Sequence, residues 1–146
     1  MEACDLGWSI AMIGRGYSAF VDPVFASFPR GARGYQLLHT VIHKNVESQT
    51  ALADYLGIDR TVMPYFVDDL QAEGLVERRD DPADRRRRIV AATPKGEQQY
   101  RTLSAQVLAA EREFFGELPD PERSAFIDTL STLAHRGRAL GAPTRR

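Results

Sequence analysis

Apolar residues at Leu6, Ile10, Ile13, Tyr17, Phe20 and Val24 recur at three- and four-residue steps, which predicts a long amphipathic helix weakened locally by Gly14 and Gly16. FPRGARG, residues 28–34, breaks that helix, and Tyr35, Leu38, Val41 and Ile42 mark a second one. Next comes a pair of short helices. Ser48 is placed to cap the first, with Leu52, Ala53 and Leu56 inward and Gly57 at its left-handed end. Asp59 is expected to cap the second, in which Met63, Phe66, Val67 and Leu70 share the inner face until Gly74 ends it. Two short helices joined by a tight glycine-containing turn form a helix-turn-helix.

Leu75, Val76 and Glu77 then start a strand, Arg88 to Ala92 form another, and PADR between them is a turn. A hairpin directly after a helix-turn-helix makes a winged helix. In the tail, Tyr100, Leu103, Val107, Ala110 and Phe114 follow a heptad-like spacing. After the breaker LPDPE, Phe126, Ile127, Leu130, Leu133 and Ala134 form a further stripe. The fold class is therefore mainly α with a small β-hairpin wing and long terminal helices. Those terminal helices offer more apolar face than a small winged helix covers, so they are expected to be buried against a second subunit. The competing arrangement is a helical layer within one chain.

Composition narrows the function. A chain of 146 residues with 43% hydrophobic and 27% charged content suits one globular domain. The net charge of -1 excludes a surface that binds polyanions everywhere, so any nucleic-acid contact must come from local charge. Such charge exists: six arginines and three aspartates lie between residues 78 and 88, at the tip of the expected hairpin. The lone Cys4 leaves no internal disulfide and fits a reducing cytoplasm. Glu2 and Asp5 stand where a signal peptide would be basic, and the uncharged run Leu6 to Gly14 is too short to span a bilayer. A cytoplasmic protein without a membrane partner is expected. No nucleophile-base motif or glycine-rich phosphate loop points to an enzyme, and no cofactor or metal is expected.

LADYLGIDR, residues 52–60, and LQAEGLVERRDDPADRRRRIVAATPKG, residues 70–96, carry a specific resemblance to the MarR family of bacterial winged-helix transcriptional regulators. The resemblance runs over nearly the whole chain. It implies one domain over 1–146, with a DNA-binding lobe at 35–96 and dimerisation helices at 5–28 and 97–140. It further implies a homodimer on a palindromic site in double-stranded DNA, acting as a repressor that a small aromatic or phenolic effector releases.

Helical phasing leaves Arg60, Thr61, Val62, Pro64, Tyr65 and Asp68 outward on the second helix of the motif, the one that fits a major groove. The family usually places a hydroxyl residue and then arginine at 64 and 65. Pro64 and Tyr65 here remove the commonest guanine reader, so an AT-leaning site read partly through DNA shape is expected. Pro64 also lacks an N–H, which either kinks the first turns or is tolerated near the helix start. Arg60 is outnumbered by Asp68, Asp69 and Glu73, so this helix cannot supply the phosphate attraction, and the wing must.

By resemblance, Asp84 and Arg86 match an Asp-x-Arg motif in which Asp84 braces the wing through a salt bridge and Arg86 enters the minor groove. Arg85, Arg87 and Arg88 are read as alternating along the strand, some toward phosphate and some toward Glu77, Asp80 or Asp81. The family's effector cleft would be lined by Trp8, Met12, Tyr17, Tyr35, His39 and Phe114. His39 and His43 have a metal-compatible spacing, but no local carboxylate or cysteine completes a site and a structural or interface role is favoured. Cys4 lies near the position of the family's peroxide-sensing cysteine, whose best match here is Gly7. Redox sensing and a protein-interaction module without specific DNA binding are the alternatives to a ligand-responsive regulator.

Overall fold

The computed structural model describes residues 5–141. Helix α1, Leu6–Val21, starts where the Asp5 carboxylate accepts the Trp8 N–H, and it runs unbroken past both glycines into a short 3-10 turn at Asp22–Phe25. Helix α2, Gly31–His43, begins inside the stretch expected to be a breaker. Arg30 takes a left-handed conformation just before it. Gly34 lies so close to the Pro29 carbonyl that an added Cβ would sit 1.9 Å from the oxygen. FPRGARG is thus part turn and part helix, because Gly34 serves close packing there.

Helix α3, Gln49–Leu56, matches its signals: Ser48 Oγ accepts the Ala51 N–H, and Gly57 closes the helix at φ 63°. Helix α4, Met63–Ala72, starts later than expected. Asp59 does not cap it; its carboxylate instead accepts the backbone N–H and hydroxyl of Thr61, at 2.7 and 2.6 Å, and heads a separate turn. Pro64 explains the shift. A proline fits the first helical turn, where its missing N–H has no partner to lose, so the helix begins at Met63 and, of the two readings of Pro64, tolerance near the helix start is the one that holds.

Strands β1, Val76–Asp80, and β2, Arg88–Ala92, pair antiparallel with Arg78 opposite Val90 and Asp80 opposite Arg88. Leu75 is buried but precedes the strand, its carbonyl accepting the Thr93 N–H. Thr93 caps helix α5, Pro94–Phe115, by accepting the Gly96 N–H. Helix α6, Asp120–Ala139, follows the LPDPE break.

Leu37 and Leu38 of α2, Leu52 of α3, Met63, Val67 and Leu70 of α4, and Val76 and Val90 of the hairpin fuse the helix-turn-helix and wing around one core. Val21, Leu103 and Val107 join α1 and α5 to it. Helix α6 buries no residue within the chain. Its contacts with the body include Phe126, edge-on to Phe115, and the Arg138 guanidinium over the Tyr55 ring. No helix among the described residues is long and apolar enough to cross a membrane.

The junction of wing and α5 depends on Gly96, where a Cβ would lie 2.0 Å from the Leu75 carbonyl oxygen. Gly96→Ala is expected to force these backbones apart and to cost about 1–3 kcal/mol of unfolding free energy, read by urea denaturation. An unchanged midpoint would show that the junction relaxes freely.

Candidate nucleic-acid interface and adjoining cleft

The outer side of α4 and the turn before it expose Thr61, Val62, Tyr65 and Asp68, with Pro64 half-buried between them. Arg60 is exposed as well, but its guanidinium grips Asp54 of α3 through two hydrogen bonds of 2.9 and 2.7 Å. That grip holds the Asp54 carboxyl below its ordinary range. Arg60 therefore reaches the interface as one half of an ion pair.

The acids of α4 are not free either. Asp69 pairs with Arg30, whose guanidinium also lies over the Phe66 ring, and Asp68 pairs with Arg78 at 2.7 Å. Asp68 and Asp69 are thus each neutralised by an arginine distant in sequence, which leaves Glu73, just past the helix end, as the acid of the three in no ion pair among the described residues. Neither arginine stands out in the sequence as a partner of α4. For Arg78 a signal existed, because it shares the inward strand face with Val76 by two-residue alternation. For Arg30 the sequence offers none.

At the wing tip, Arg85, Arg86 and Arg87 lie in the turn, and only Arg88 is in a strand. The alternation expected along residues 85–88 is therefore absent, because the tip spends residues 81–87 on turns. Asp81 and Asp84 build these turns: their carboxylates accept the N–H groups of Ala83 and Arg86, at 2.9 and 3.0 Å. Asp84 thus braces the wing through a backbone hydrogen bond and forms no salt bridge among the described residues. A short side chain two residues before an N–H closes such a turn by itself. Arg88 approaches Asp80 at 4.0 Å, and Arg79 rather than a tip arginine takes Glu77 at 3.9 Å. Among the described residues, Arg85, Arg86 and Arg87 are exposed and in no ion pair.

A cleft of about 870 Å³ separates this head from the terminal helices, between α1, α2, α5 and the end of α3. Three of its expected residues line it: Tyr17, Tyr35 and His39. Trp8 and Met12 do not, because they lie toward the free end of α1, beyond Gly14 where the cleft begins. Phe114 sits behind the wall, edge-on to Tyr17 and Phe20. Tyr100, Ser104 and Glu111, on one face of α5, and Tyr55 and Lys44 are also in the lining and were missed by sequence reasoning. The spacing of 100, 104 and 111 was a usable signal for a polar stripe within an apolar helix face.

The cleft is an aromatic stack with a few polar ends. Tyr35 stacks on Tyr100, ring centroids 5.4 Å apart, and the Tyr100 hydroxyl lies 2.8 Å from His39 Nδ1. The Tyr17 hydroxyl donates to Glu111 at 2.7 Å. Burial raises both Tyr17 and Tyr35 well above the ordinary phenol range, with Glu111 and Tyr100 respectively adding to it. Burial also lowers His39, assisted by His43 and Lys44, which favours the neutral imidazole, whose Nδ1 accepts or donates as the tautomer dictates. The His39 and His43 rings pack against each other and Tyr100, with no cluster of three metal-ligating side chains among the described residues. A second cleft of about 880 Å³ opens between α3 and α6, with charged Asp54, Arg60 and Arg138 in its lining. Cys4, the candidate redox residue, lies outside the described residues.

Residues 31–87 match the sequence profile of the MarR family. A regulatory protein of Thauera aromatica, named for the hcr operon, is 32% identical over 111 residues, covering 76% of this chain and 67% of its own. Among solved structures, CouR from Rhodococcus jostii RHA1 bound to p-coumaroyl-CoA superposes with a TM-score of 0.78 at 29% identity, over 92% of this chain and 96% of that one. A crystal structure of MarR superposes at 0.77 with 22% identity, over 96% and 95%.

Proposed function

The chain belongs to the MarR family of winged-helix transcriptional regulators, and from that premise we propose that it is a homodimeric repressor whose hold on a palindromic DNA site is released by an aromatic effector. The observation that carries the DNA-binding part is the wing tip: three exposed arginines in no ion pair among the described residues, on a loop closed by Asp81 and Asp84. Their charge is held outward rather than spent within the chain, and the narrow minor groove concentrates the potential that attracts it. In the adjoining major groove, Thr61, Val62, Pro64 and Tyr65 offer methyl, ring and hydroxyl contacts, which suits thymine-rich steps. Arg85, Arg87 and Arg88 are assigned to phosphates, and Asp84 to holding the tip.

Residues 5–28 and 97–140 are assigned to dimerisation and residues 35–96 to the DNA-binding lobe. The effector is assigned to the 870 Å³ cleft, whose volume suits a small organic ligand and whose walls combine stacked rings with a few hydroxyl, imidazole and carboxylate groups. CouR was solved with p-coumaroyl-CoA, a phenol-bearing thioester, and a phenolic ring between Tyr35, His39 and Tyr17 is the corresponding proposal here. A ligand wedged there separates α3 from α1 and α5 and so alters the spacing of the two recognition helices.

The test is selection of bound duplexes from a random pool, then fluorescence anisotropy of the enriched sequence at two salt concentrations. Binding that is specific and steeply weakened by salt is expected. Exposed Tyr65 on α4 and Val62 in the turn before it also suit a protein-docking surface. If no sequence is enriched and retention ignores salt, that second reading replaces the first.

A further inference from the structure

The side chain of Arg78 ties the wing to both helices of the helix-turn-helix. From β1 its guanidinium pairs with Asp68 at 2.7 Å and donates to Gln71 Oε1 at 3.1 Å, both on α4. It also donates to the Pro64 carbonyl at 3.2 Å, in the first turn of α4, and to Gln49 Oε1 at 3.3 Å, at the start of α3. Only 24% of the side chain is exposed. It therefore faces inward between elements, whereas Arg85, Arg86 and Arg87 face solvent.

This placement has a geometric consequence. Wing and α4 are joined in sequence by a short turn through Gly74, and a two-stranded hairpin has little rigidity of its own. Reading two grooves at once demands a fixed distance between Tyr65 and Arg86. A planar guanidinium with several donors can lock one strand to a helix in a single orientation; an ammonium, as a point charge, cannot do so. Its second effect is electrostatic, since pairing neutralises Asp68 on the side of α4 that would meet phosphates.

Resting on the DNA-binding reading above, we propose that Arg78 is a positioning residue that sets sequence specificity: it holds the wing at a fixed angle to α4 and masks Asp68, without itself touching bases. Specificity then depends on the planar, many-donor shape of the Arg78 guanidinium and not merely on its charge.

The experiment compares wild type, Arg78→Lys, Arg78→Ala and Asp68→Asn, with the double variant of Arg78→Ala and Asp68→Asn. Each is titrated onto the duplex that wild type enriches from a random pool, and onto a scrambled duplex of equal composition. Thermal unfolding by circular dichroism identifies any variant that fails to fold. Arg78→Lys, which retains the charge, is expected to keep its affinity for scrambled DNA and its salt slope while losing roughly tenfold or more in preference for the selected duplex. In the double variant the two losses are expected to be non-additive, because both substitutions break the same ion pair.

Full restoration of preference by lysine would overturn the proposal and leave Arg78 as a source of positive charge. Equal losses on both duplexes would overturn it in favour of an ordinary phosphate contact. Should Arg78→Ala not fold, the lysine comparison and Asp68→Asn decide. If wild type itself enriches no sequence, the DNA-binding reading fails and this proposal falls with it, a result distinct from a wild type that discriminates and an Arg78→Lys variant that does so equally well.

Discussion

Arg86→Ala is expected to weaken binding to the selected duplex by roughly 10- to 100-fold, while the fold and the proposed dimer stay intact. The size follows from where the guanidinium stands. Arg86 is exposed on a tip loop and in no ion pair among the described residues, so its removal takes nothing from the folded chain. Its backbone N–H, which the substitution preserves, still closes the turn on Asp84. The whole loss therefore falls on the bound state. Replacing Arg85, Arg86 and Arg87 together should go further and lower the salt slope by about 0.9 for each phosphate that is no longer neutralised.

Asp84→Ala separates bracing from direct binding. It removes no positive charge but opens the turn, so affinity should fall with the salt slope nearly unchanged. Anisotropy titrations over a salt series provide both readouts. An Arg86→Ala protein that binds as tightly as wild type would move the minor-groove role to another arginine. A loss accompanied by a lower unfolding temperature would make Arg86 structural.

The wing illustrates what could be read directly from the chain and what could not. Its strands and its arginine-loaded tip were legible, because Val76, Ile89 and Val90 carry a strand pattern and Pro82 with Asp81 and Asp84 carries turn chemistry. The α3 signals, Ser48 and Gly57, were equally local and held. Features that depend on distant residues meeting in space were not legible. Asp68 and Asp69 look like an acidic liability until Arg78 and Arg30 come to rest on them. The start of α4 was misplaced because Asp59 and Pro64 carry competing signals, and the steric demand of proline outweighed a single capping hydrogen bond. In the cleft, aromatic residues were identified by type, but the depth of each along α1 decides whether it lines the cavity, which excludes Trp8 and Met12, while Phe114 on α5 is turned behind the wall.

Leu133→Glu in α6 is expected to separate the proposed dimer into chains of 16.3 kDa and to reduce affinity for a palindromic duplex by a factor on the order of 10³. Leu130 and Leu133 are 50% and 56% exposed, and Leu6, Trp8 and Ile10 of α1 are more exposed still. A 20-residue helix with no fully buried residue in its own chain cannot be held by propensity alone; in proteins, packing of an apolar face supplies most of a helix's stability. Burying each such leucine against a second copy contributes about 1.5–3 kcal/mol, and a carboxylate placed there removes this and adds the cost of desolvating a charge.

Within one chain the same glutamate costs little, because Leu133 is not part of the core. The separated chain should therefore keep a folded winged helix and bind a half-site as weakly as wild type does, since only the linkage of two heads is lost. Light scattering distinguishes the outcomes. A variant that remains at twice the chain mass would show that α6 lies outside the subunit interface, whereas a monomer with undiminished affinity for the palindrome would show that one head suffices.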